Sequence, residues 1–127
     1  MSVTSFVFSD KLDGQFLKSI YEGDTEHAEM VFEQFVISAK IYLEEIESAY
    51  STGNTEVFRK SVHKFKPVLS FVGLTRLTDA AASIEKNCSI VPDVASLSAD
   101  YTAFKNDLAE MIPIVENDLI KLKAINT

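Results

Sequence analysis

One cysteine, twelve basic side chains against nineteen acidic ones, and no long apolar run are the scarcities that bound this 127-residue sequence. The single Cys88 excludes an internal disulfide, and its setting in Ile84-Glu85-Lys86-Asn87-Cys88 places it on the inner face of a helix as a buried structural thiol. A net charge of −7 and an isoelectric point near 4.7 exclude a general nucleic-acid binder and a protein that coats anionic membranes, since both need a positive field. The expected partners are therefore proteins. Met1 to Phe8 hold no basic leader, and no later segment approaches a membrane span, so a cytoplasmic location is expected. No internal repeat or low-complexity tract divides the chain, and its length suits one domain over residues 1–127, expected to act as a monomer.

What the sequence does have is helical periodicity. Ala28, Phe32, Phe35, Ala39, Tyr42, Ile46 and Tyr50 recur at steps of three and four, with Asp24 as N-cap. Gly53-Asn54 stops that helix and caps the next, whose stripe is Phe58, Val62, Phe65, Leu69 and Val72, closed by Gly73. A shorter helix buries Leu77, Ala81, Ile84 and Cys88, a loop with Pro92 follows, and from Val94 onward Leu97 to Leu122 give the longest stripe. Pro113 is expected to kink that last helix. A short helical pattern from Gln15 to Tyr21, preceded by an apolar segment, is expected to lid one end. With no strand-length alternation, the fold class is all-α, an antiparallel four-helix bundle with a short N-terminal capping helix.

The chemistry points to the third of these helices. At 100° per residue, His63 lies roughly 140° from the core direction and faces solvent. Residues 59 to 66 hold Arg59, Lys60, Lys64 and Lys66 and no acid, a local basic patch in an acidic chain. A neutral imidazole, with an ordinary pKa of about 6.5, is a nucleophile able to attack phosphorus at neutral pH. Lys66, three residues on, is within reach of the equatorial oxygens of a phosphoryl group. Pro67, Ser70 and Phe71 continue the outward face, and an outward Phe beside Pro67 offers an apolar docking strip.

His63-x-x-Lys66 with Gly73 ten residues after the histidine resembles the signature of histidine-containing phosphotransfer (HPt) domains, and the resemblance spans nearly the whole chain, including the stretch from Leu17 to Phe35. It implies His63 as the phosphorylated residue, Lys66 as the charge-stabilising one, and Gly73 as the small residue closing the motif. It implies a carrier without kinase activity that exchanges phosphoryl groups with response-regulator receiver domains or hybrid sensor kinases. No cofactor of its own is implied, and any Mg²⁺ is expected on the receiver. The family usually has glycine after the motif lysine; Pro67 stands there instead, crowding the His63 carbonyl and predicting a kink beside the histidine.

Two other classes compete. An HPt-like module that docks a signalling protein without carrying phosphate would use the same face, and Pro67 is its best support. A metal-binding bundle oxidase needs paired Glu-x-x-His elements, whereas Lys60 precedes His63 by three and Asp24 precedes His27 by three. His27, flanked by Glu26 and Glu29, reads as a solvated helix histidine, and Glu44, Glu45 and Glu47 as the wet side of their helix.

Overall fold

The computed structural model describes residues 6–127. Five α-helices follow one another: α1 (Gly14–Tyr21), α2 (Thr25–Ser51), α3 (Thr55–Ser70), α4 (Thr75–Asn87) and α5 (Ser98–Ile125). No strand occurs among the described residues. Asp24 caps α2 by accepting from the His27 amide at 3.0 Å, and Asn54 caps α3 by accepting from the Val57 amide at 3.1 Å. The last apolar run begins differently from expectation: Val94–Leu97 forms a 3-10 turn, because Asp93 accepts from both the amide and the hydroxyl of Ser96 and draws the chain tight before α5 starts. Pro67 and Pro113 lie inside α3 and α5, and both helices continue past them. Since proline has no amide hydrogen, the His63 carbonyl lacks its usual partner four residues on.

Helix α2 packs against α3 and α5, and α4 packs against the same two, so the four close a ring around one core. The predicted stripes supply that core, from Ala28 and Phe32 on α2 to Leu119 and Leu122 on α5, while Tyr42, Tyr50 and Met111 are only partly buried at its rim. Phe65 fixes the roll of α3. Its ring stacks on Phe35 and Tyr42 of α2, with centroids 6.4 and 5.1 Å away, and meets the edge of Phe104 on α5 at 6.4 Å. With Phe65 pinned inward, His63 two residues earlier is held on the outer surface. Cys88 is a buried free thiol, and burial pushes its pKa up.

The N-terminal segment crosses one end of this ring. Residues 1–5 of the expected apolar lid lie outside the described residues, while Phe8 packs on Phe32 and Tyr21 with centroids 5.6 and 6.5 Å away. The Ser9 amide donates to Asp118 Oδ2 at 2.8 Å, and Asp118 is fully buried on α5 with its other oxygen unpartnered. Asp13 caps α1 through the Phe16 amide, accepts from the Thr75 hydroxyl at 2.9 Å, and donates its own amide to the Gly73 carbonyl at 2.9 Å. The tip of α1 is tied to the turn after α3 as well, since the Tyr21 hydroxyl donates to the Phe71 carbonyl at 2.7 Å. That turn is a Schellman closure: the Leu74 amide reaches back to the Leu69 carbonyl and the Gly73 amide to the Ser70 carbonyl. Gly73 sits at φ 79°, where a side chain is strained.

Candidate functional site

The sequence places His63 outward, and the structure agrees: its side chain is 62% exposed. The surroundings differ from a simple basic patch. Glu85, on α4, rises beside the histidine, and its Oε2 lies 2.7 Å from His63 Nδ1. Its Oε1 is enclosed and faces the Lys66 ammonium at 2.7 Å, while Arg59 approaches Oε2 at 3.7 Å. Burial alone would raise the Glu85 pKa, but hydrogen bonds and charge from Lys66 and His63 outweigh it and hold the carboxyl below its usual range. Glu85 is therefore ionised at neutral pH and only accepts. The proton in the bond must belong to His63 Nδ1, so a neutral ring presents Nε2 as its lone-pair nitrogen. No other described side chain bonds this ring.

The remaining basic residues are also partnered. Arg59 forms a two-pronged pair with Glu56, at 2.6 and 3.0 Å, and Lys60 lies 4.0 Å from the same carboxylate. Lys64 turns the other way, toward Glu45 of α2 at 3.3 Å. The local patch expected from residues 59 to 66 is thus a mixed network, because α2, α4 and the first turn of α3 each bring an acid to it. Among the described residues no three His, Cys, Asp or Glu side chains converge as a metal site.

Beyond the histidine, Pro67 is exposed and Phe71 is 48% exposed, so the apolar strip is present, while Ser70 is only half-buried beside it. Gly73 does not join the site. It is buried under α1, where a Cβ would stand 2.7 Å from Leu17 Cδ1, so its demand is structural. His27 is exposed, with its ring edge-on to Tyr21 at 5.2 Å and no basic neighbour in hydrogen-bond contact. Glu85 is the residue that spacing along the chain did not reveal. Its one local signal is its place beside Ile84 on the core stripe, at the margin of the buried face of α4. A groove of about 670 Å³ opens between the N-terminal segment, the start of α4 and α5, and its lining includes neither His63 nor Lys66. His63 stands on open surface.

Comparison with known proteins supplies the family context. The family model of the Hpt domain matches residues 30–118, which include His63, Lys66, Gly73 and Glu85. The crystal structure of histidine-containing phosphotransfer protein B from Pseudomonas aeruginosa PAO1 superposes with a TM-score of 0.65 over 91% of this chain and 94% of that one, at 19% sequence identity. That level of identity speaks to a shared fold. Curated proteins yield no match. No helix among the described residues is long and apolar enough to cross a membrane.

Proposed function

We propose, on the premise that this chain belongs to the Hpt domain family, that it is the histidine phosphocarrier of a multistep phosphorelay and that His63 is the residue that carries the phosphoryl group. The observation that carries this reading is the Nδ1 contact: with Glu85 accepting at 2.7 Å, the exposed ring is left with Nε2 free to attack phosphorus in line. The donor and acceptor we propose are receiver-domain aspartates, brought by a partner to the open surface. Any Mg²⁺ belongs to that receiver. The chain contributes charge stabilisation through Lys66, a weaker field from Arg59, Lys60 and Lys64, and a docking strip of Pro67 and Phe71 flanked by Ser70. It is a carrier rather than a kinase. The ring of α2 to α5 supports reading the fold as the antiparallel four-helix bundle capped by α1, in one domain that works as a cytoplasmic monomer.

Incubation with phosphorylated receiver domains, followed by acid-lability and site mapping of the label, tests this function. Acid-labile phosphate on His63 is expected, abolished by His63→Gln and retained by His27→Gln. Binding of receivers with no label on any histidine would instead support the docking-only module, a reading that Pro67 and the engagement of Lys66 by Glu85 favour.

A further inference from the structure

We infer that Pro67 is a specificity-determining residue: by withholding an amide from α3 it leaves the His63 carbonyl as a free acceptor on the docking face, where a receiver domain donates a hydrogen bond. The inference rests on His63 being the carrier. Proline inside α3 has no N–H to return to the carbonyl four residues earlier, and that carbonyl belongs to His63. His63 and Pro67 are both exposed, so the carbonyl that lies between them on the helix surface opens to solvent. In the free protein water meets its hydrogen-bonding need, and the fold tolerates it.

The neighbouring donors are committed elsewhere. Arg59 forks onto Glu56, Lys60 lies 4.0 Å from the same carboxylate, Lys64 turns to Glu45 at 3.3 Å and Lys66 to Glu85 at 2.7 Å, so none of the four cations caps the carbonyl. Its position gives the acceptor its use. Side chains on a helix lean toward the N-terminus, so the His63 ring lies on one side of its Cα and the carbonyl on the other, toward Pro67 and Phe71. The free acceptor therefore stands between the reactive nitrogen and the apolar strip. Apolar contact is non-directional and lets a partner slide along α3, whereas a hydrogen bond to this carbonyl sets the partner's register against Nε2. It also selects by exclusion: a receiver that covers the carbonyl without offering an N–H or O–H strips away its water and leaves the acceptor unsatisfied.

Two substitutions separate the carbonyl from the apolar ring. Pro67→Leu and Pro67→Ala both restore an amide that closes the helix bond to His63, but only leucine keeps apolar bulk at the surface. Each removes a helix breaker, so the melting midpoint is expected to rise by about 5–10 °C, which reports that the bond has formed. The probes are receiver domains from the same organism, with the carbon-13 resonance of the His63 carbonyl followed as receiver is added, and KM and kcat measured for transfer from the phosphorylated receiver. The wild-type carbonyl resonance is expected to move on binding and that of the variants to stay, with KM raised about threefold to tenfold in both variants. A leucine variant at wild-type KM assigns Pro67 to apolar contact alone and overturns this inference, as does a wild-type carbonyl resonance that binding leaves in place or an alanine variant with unchanged KM. Wild-type protein that takes no label on His63 from phosphoramidate, or engages no receiver, overturns the carrier reading and this inference with it.

Discussion

Replacing Gly73 with alanine tests whether the glycine of the motif serves the site or the fold. Its φ of 79° is left-handed, and holding an alanine there costs on the order of 1–2 kcal/mol. The added Cβ would also meet Leu17 Cδ1 at 2.7 Å and the Asp13 amide nitrogen at 3.2 Å. Leu17 is fully buried, and the Asp13 amide is already committed to the Gly73 carbonyl at 2.9 Å, so neither gives way freely. Overpacking of this kind costs about 1–3 kcal/mol. A total near 3 kcal/mol, set against an unfolding entropy of about 2.1 cal/mol/K per residue, lowers the melting temperature by about 11 °C. The assay is a far-ultraviolet circular dichroism melt of the two proteins, with phosphoryl acceptance measured well below both transitions. Acceptance per folded molecule is expected to stay at the wild-type level, because Gly73 makes no contact with His63. A melting temperature within 2 °C of wild type would refute the packing argument, and a folded but inactive Gly73→Ala protein would return the glycine to the site.

Lys66→Ala is expected to slow phosphoryl transfer about tenfold, as charge on the transferring group goes unbalanced, while the helical signal and melting midpoint stay close to wild type; stopped-flow or quench measurements that find equal rates would remove Lys66 from the mechanism. Asp118 bears on stability instead. Burial raises its pKa despite the bond from the Ser9 amide, so in the pH interval between the ordinary carboxylate value and the raised one the folded protein binds a proton there more readily than the unfolded chain. Stability contributed through this group therefore falls as pH rises from the ordinary carboxylate range through the raised value. Denaturant titrations over acidic pH should show Asp118→Asn lacking that decline relative to wild type, and parallel curves for the two proteins would show that Asp118 is not titrating as a buried acid.

The helices were legible because their information is local. Stripes at steps of three and four, Asp24 and Asn54 as caps, and Gly53 as a stop each act within one or two turns, and the outward direction of His63 follows from the stripe it avoids. Glu85 was not legible, since its meeting with His63 spans 22 positions and depends on how α4 lies against α3. The same holds for Glu45, which reaches Lys64 across 19 positions, and for the Ser9 to Asp118 bond across 109. Gly73 was legible as a helix end, but its real constraint, the pressure of α1 on the turn, appears only when Leu17 is folded onto it. Composition misleads for the same reason: four cations between residues 59 and 66 look like a field of +4 only while their acidic partners are out of sight.

With those partners in place the local balance is small. Arg59, Lys60, Lys64 and Lys66 bring four positive charges, and Glu45, Glu56 and Glu85 bring three negative ones, leaving +1 apart from His63 itself. A field of that size, in a chain of net charge −7, does little to draw an acidic phosphorylated partner from a distance. On the proposed reading, recognition would come from contact, and the exposed apolar groups on this surface are Pro67 and the half-exposed Phe71, whose carbonyl is anchored by Tyr21 and whose turn is anchored by Asp13. In the proposed carrier the N-terminal helix would serve the docking strip without touching the histidine, because its bonds to the turn after α3 fix the end of the helix that presents Pro67 and Phe71.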